Sequence, residues 1–148
     1  MTTPEKRDRI FLLYGKAAFQ AQLLEEELVQ TLVDQRWTGD TMPAKVIEDA
    51  EHELGKLPLG PLGKKFREEF PGFTHFADYL DLVRKKRNYL AHRFFRECHF
   101  EIEWGSTYEP EQRDLESILV ELEQCKVGVA KLRKSVAEWK SGQSAKHA

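Results

Sequence analysis

The chain has 148 residues, 41% of them hydrophobic and 32% charged, with a formal net charge of −2. That length suits one domain around a single core, and the composition is that of an ordinary soluble globular chain. The charge excludes any global attraction to nucleic acid, so an anion-binding surface has to be local.

No apolar run approaches the roughly 18 residues that read as a membrane span. The polar stretch Met1 to Arg9 lacks a signal-peptide pattern. Cys98 and Cys125 are too few for a disulfide framework and fit reduced thiols in a cytoplasm.

Thr3-Pro4-Glu5 reads as a helix start, with a capping hydroxyl, a proline where its missing N–H costs nothing, and an acid at the positive end of the dipole. Ile10, Tyr14, Ala17, Ala21, Leu24, Leu28 and Leu32 then mark one face of a long helix reaching about Val33. Arg36 to Pro43, with Gly39-Asp40-Thr41, is a connection. Pro43 opens a second helix that Gly55 ends.

Leu57 to Gly63 holds two prolines and two glycines and reads as irregular, with a short helical piece around Phe66 and Phe70. Thr74 caps the next substantial helix, whose stripe is Phe76, Leu80, Val83, Arg87, Leu90 and Phe94. From Cys98 to Trp104 the period changes, since Phe100, Ile102 and Trp104 alternate with polar residues. That predicts an irregular loop or short hairpin near residues 98–108.

Pro110 begins the last helix, carried by Leu115, Ile118, Leu122, Cys125, Val129, Leu132, Val136 and Trp139. Residues 142–148 read as a frayed polar tail. The expectation is one all-α domain over residues 1–148, an up-and-down helical bundle with long first and last helices.

Several chemistries fail on spacing. Asp49, Gly72, Tyr89, Arg96 and Ser144 precede the histidines by three, so no di-iron Glu-x-x-His motif exists. His52-Glu53 lacks the second histidine of a zinc-protease helix, and Gly63-Lys64 lacks the rest of a P-loop. Neither a metal site nor a cofactor signature is found, and Cys125 reads as a buried structural thiol.

The densest positive charge lies in Arg84-Lys85-Lys86-Arg87-Asn88-Tyr89-Leu90-Ala91-His92-Arg93-Phe94-Phe95-Arg96. At about 100° per residue, Arg87 falls within the apolar stripe of its helix. Arginine sits on a core-facing line only when a partner or ligand offsets its desolvation. The plain alternative is a carboxylate from the glutamate-rich first or last helix. His92 lies about 140° round from Arg87, on the side of Asn88. One straight helix therefore does not easily bring both side chains to one phosphate: either the helix bends here, or two copies place their helices across a shared cleft, which the unbroken apolar stripes favour by leaving surface for a two-fold interface.

Arg87-Asn88-Tyr89-Leu90-Ala91-His92 resembles the Arg-polar-x-x-x-His signature of the HEPN domains, small all-α folds common in bacterial defence and toxin–antitoxin systems. The specific match covers those six residues; the rest of the likeness is architecture. The resemblance implies a metal-independent endoribonuclease acting as a homodimer on RNA, with an antitoxin or sensor protein as a further partner.

It implies attack of a 2′-hydroxyl on the adjacent phosphodiester, leaving 2′,3′-cyclic phosphate ends. His92 would move the proton, Arg87 would balance phosphorane charge, and Asn88 would orient His92 or hold the ribose by hydrogen bonds. Arg84, Lys85, Lys86, Arg93 and Arg96 would then track the RNA backbone, with Tyr89, Phe94 or Phe95 stacking a base. Phe94 departs from the toxins, which carry a modifiable tyrosine two places after the histidine. The alternatives are a HEPN-like module that binds RNA or a nucleotide without cutting, and a helical protein-interaction or dimerisation protein.

Overall fold

A computed structural model describes residues 3–36, 43–105 and 108–146, with the side chains of Phe100 and of residues 143–146 left aside. Six helices follow one another: α1 (Thr3–Arg36), α2 (Ala44–Gly55), α3 (Leu59–Glu69), α4 (Thr74–His92), α5 (Phe94–Trp104) and α6 (Glu109–Lys146). The chain is thus an all-α bundle with long first and last helices, and there is no strand among the described residues. None of these helices is long and apolar enough to cross a membrane.

The three long helices alternate in direction. Phe94 and Phe95 meet Tyr14, and Arg87 meets Glu25, so α4 and α5 run antiparallel to α1. The Tyr79 hydroxyl donates to the Glu121 carbonyl and Phe76 lies beside Gly128, so α4 also runs antiparallel to α6.

It follows that α1 and α6 are parallel. Lys126 donates to Gln20 and Arg133 to Asp34, with Glu27 3.8 Å from Arg133, while Lys140 donates to the Gln35 carbonyl. These partners climb both helices together at heptad spacing, the signature of a left-handed pair in register.

The core lies between these helices. Ile10, Leu13, Ala17, Leu24 and Leu28 of α1 pack against Leu115, Ile118, Leu122, Cys125 and Val129 of α6, all buried. From α4 come Ala77, Leu80, Val83 and Leu90, and from α3 Leu59, Leu62 and Phe66. Burial pushes the Cys125 thiol up to about 12, as befits a structural residue rather than a nucleophile.

Five sequence expectations change. The predicted loop or hairpin at 98–108 is instead helix α5 as far as Trp104, followed by a non-helical Gly105 and Tyr108; residues 106–107 lie outside the described chain. The alternation was misleading because Trp104 is 71% exposed while Ile102 is buried. Phe94, Cys98 and Ile102, four apart, are the helical stripe that turns inward. The end of α5 is held by Arg7, which donates to the carbonyls of Ile102 and Glu103, and by the Tyr108 hydroxyl, which donates to Ile102.

Helix also occupies the Pro/Gly stretch: α3 starts at Leu59, and Pro61 lies in its first turn, where a missing N–H breaks no helical bond. Thr74 is the first residue of α4 rather than its cap, its hydroxyl donating to the Pro71 carbonyl.

The ends differ too. α1 runs three residues past Val33 to Arg36, and α6 remains helical to Lys146, beyond the expected start of the tail. Most of the Arg36–Pro43 connection, residues 37–42, lies outside the described chain, as do residues 147–148.

Candidate functional site

α4 ends at His92 without a proline or glycine. Arg93 breaks the run with φ −125° and ψ −27°, while its N–H still donates to the Tyr89 carbonyl. Past the break, both rings of the first turn of α5 reach α1: Phe95 lies 4.5 Å from Tyr14 and 5.9 Å from Phe11, and Phe94 lies 6.0 Å from Tyr14. Aromatic packing thus fixes the end of α4 and the position of His92.

Arg87 faces inward, as its place in the stripe requires, and its partner is Glu25 of α1 at 3.3 Å. The two side chains are 25% and 21% exposed. This is the internal acid that the sequence leaves open as the plain alternative to a ligand. The pair is poorly closed, however. Arg36, Arg67, Arg84, Arg93 and Arg133 each donate a hydrogen bond to the carboxylate they pair with.

Arg87 donates none among the described residues, and the buried Glu25 Oε1 accepts none. Burial pushes the Glu25 carboxyl above the usual range, outweighing the Arg87 charge, the Leu59 N–H and, last, a weak Arg87 side-chain contact that is near in distance but misaligned as a hydrogen bond, all of which favour its ionised form.

His92 is exposed and makes no hydrogen bond or ion pair among the described residues. Asn88, half-buried, likewise has no side-chain partner among them. Because Arg87 turns to α1 while His92 turns to solvent, one chain does not assemble an Arg–His pair.

The remaining cations are not an open basic track. Arg84 donates to Asp81, Arg93 to Glu97, and Lys86 to Glu121 of α6, while Lys85 is 3.9 Å from Asp81. Only Arg96 of the five proposed backbone contacts has no carboxylate partner among the described residues. Three of these pairings, Asp81–Arg84, Asp81–Lys85 and Arg93–Glu97, sit at i,i+3 or i,i+4 spacing and are visible in the sequence. Glu25 and Glu121 are brought in only by the fold.

The aromatic residues are also committed. Phe94 is fully buried, Phe95 packs on α1, and Tyr89 stands edge-on to Phe94 at 6.1 Å. Burial first, then Cys98 and Asp114 nearby, pushes the Tyr89 hydroxyl up to about 12. Phe94 is therefore not a base-stacking platform, and Tyr89 and Phe95 offer only their outer edges.

A cleft of about 470 Å³ lies between α1 and α2, lined by Glu25, Glu26, Glu48, Glu51 and His52 among others. Four carboxylates make it repellent to phosphate.

The chain matches no family model, no curated protein and no solved structure.

Proposed function

We propose that the chain is a metal-independent endoribonuclease of the HEPN type that works only as a pair of identical chains. The observation that carries this is Arg87, a core-facing guanidinium whose ion pair with Glu25 is closed by no hydrogen bond, five positions before an exposed histidine. A guanidinium with unused donors suits a phosphodiester, since its planar fork can bind two phosphate oxygens at once.

The reaction would run as follows. The RNA 2′-hydroxyl attacks its own phosphorus, His92 moves the proton, and Arg87 offsets the charge of the phosphorane. Convergence requires Arg87 of one copy and His92 of another, because within a single chain they diverge. The same ion pair counts against cleavage by a lone chain, since Glu25 already answers the Arg87 charge. A toxin or phage-defence role follows from the family resemblance alone.

A second reading has its own observation. Most cations of the basic helix are neutralised internally, while Leu12 and Phe19 of α1 and Val120 and Val127 of α6 are about half exposed. That combination suits a helical interaction protein with no RNA affinity.

The deciding experiment incubates the purified chain with labelled RNA in chelator, beside Arg87→Ala and His92→Ala variants checked for helicity. The nuclease cuts and both variants do not. Uncut RNA with salt-insensitive, negligible binding supports the interaction protein.

A further inference from the structure

We infer that Glu25 is an internal stand-in for the RNA phosphate, holding Arg87 until a phosphodiester displaces it; this rests on the nuclease reading above. The contact has the marks of an exchangeable partner rather than a structural lock. Its 3.3 Å separation lacks hydrogen-bond geometry, and the buried Glu25 Oε1 goes without a donor. A guanidinium has five N–H donors, and an oriented phosphate can satisfy two of them in parallel, which Glu25 does not do.

Glu25 also borders the cleft that holds Glu26, Glu48 and Glu51, so open space lies beside it when Arg87 turns away. Those acids repel a carboxylate freed from Arg87, which adds to the cost of breaking the pair. The free chain thus keeps Arg87 neutralised, and RNA binding carries that cost. Removing the Glu25 charge removes that cost.

The test measures anisotropy of a fluorescein-labelled single-stranded RNA in EDTA, with wild type, Arg87→Gln, Glu25→Gln and Glu25→Asp. Glu25→Asp withdraws the carboxyl by one methylene and carries the test if Glu25→Gln does not fold. The expected result is weaker binding by Arg87→Gln, binding about tenfold tighter by Glu25→Gln, and a smaller shift in the same direction for Glu25→Asp. If Arg87→Gln weakens binding but neither Glu25 variant strengthens it, the stand-in role is wrong while the RNA site survives. If Arg87→Gln changes nothing, the RNA site itself is wrong, and the stand-in role with it.

Discussion

Arg87 and Glu25 lie 3.3 Å apart across the α4–α1 contact, and no hydrogen bond joins them. Each is three-quarters or more removed from solvent, so each depends on the other for its charge to be tolerated. Replacing Arg87 alone with Met leaves the carboxylate uncompensated and should cost about 1–3 kcal/mol. Replacing both, as Arg87→Met with Glu25→Gln, should return the stability to within about 1 kcal/mol of wild type, because no unpaired charge is left. Urea denaturation of the single and double variants checks this, and simple additivity of the two losses would contradict it.

The same pair sets a pH dependence. Burial raises the Glu25 carboxyl above its ordinary value, so the folded chain binds this proton more tightly than the unfolded chain does. The contribution of Glu25 to stability therefore improves as pH falls through the raised folded value toward the unfolded one, and is lost as pH rises again. Titrating groups elsewhere are removed by comparison with Glu25→Gln. The stability difference, wild type minus variant, should become more favourable to wild type on acidification over that window. A flat difference, or one of opposite slope, would show that burial does not raise the Glu25 carboxyl.

Two helical glycines should answer oppositely to alanine. Nothing lies within 4 Å of a Cβ built on Gly15, so Gly15→Ala should stabilise by about 0.5–1 kcal/mol through helix propensity alone. A Cβ on Gly128 would fall 2.9 Å from Phe76, whose ring is itself wedged against Phe66 and Tyr79. Gly128→Ala should therefore lose the propensity gain to overpacking and destabilise by about 1–2 kcal/mol. Thermal melts of the two variants settle the sign of each.

Much of the fold was legible because α1 and α6 keep their three-four hydrophobic steps without a break, and most of those steps are buried as far as Val129; Leu132 and Val136 are only partly buried and Trp139 is 64% exposed. The inward direction of Arg87 was legible for the same reason. α5 was misread because Phe100, Ile102 and Trp104 imitate a strand while the true stripe runs Phe94, Cys98, Ile102. α3 was misread because proline and glycine were weighed by number and not by position in the first turn.

At the candidate site, spacing alone placed His92 away from Arg87. Whether the basic run was free could be told only in part. Asp81 and Glu97 stand within one turn of their partners, but Glu25 and Glu121 come from distant helices that only the packing brings near. The burial of Phe94 was legible from its place on the stripe of Leu80, Val83 and Leu90, whereas the break at Arg93, which no proline or glycine announces, was not.

The most direct measurement mixes the two site variants. Arg87→Ala and His92→Ala chains, each inactive on labelled RNA in chelator, are combined under conditions that allow exchange between copies. If one copy supplies the guanidinium and the other the imidazole, the mixture regains cleavage, because one intact site forms in each mixed pair. A mixture as inert as its components, beside a wild type that does cut, would contradict the shared cleft. A wild type that leaves the RNA whole would contradict the nuclease.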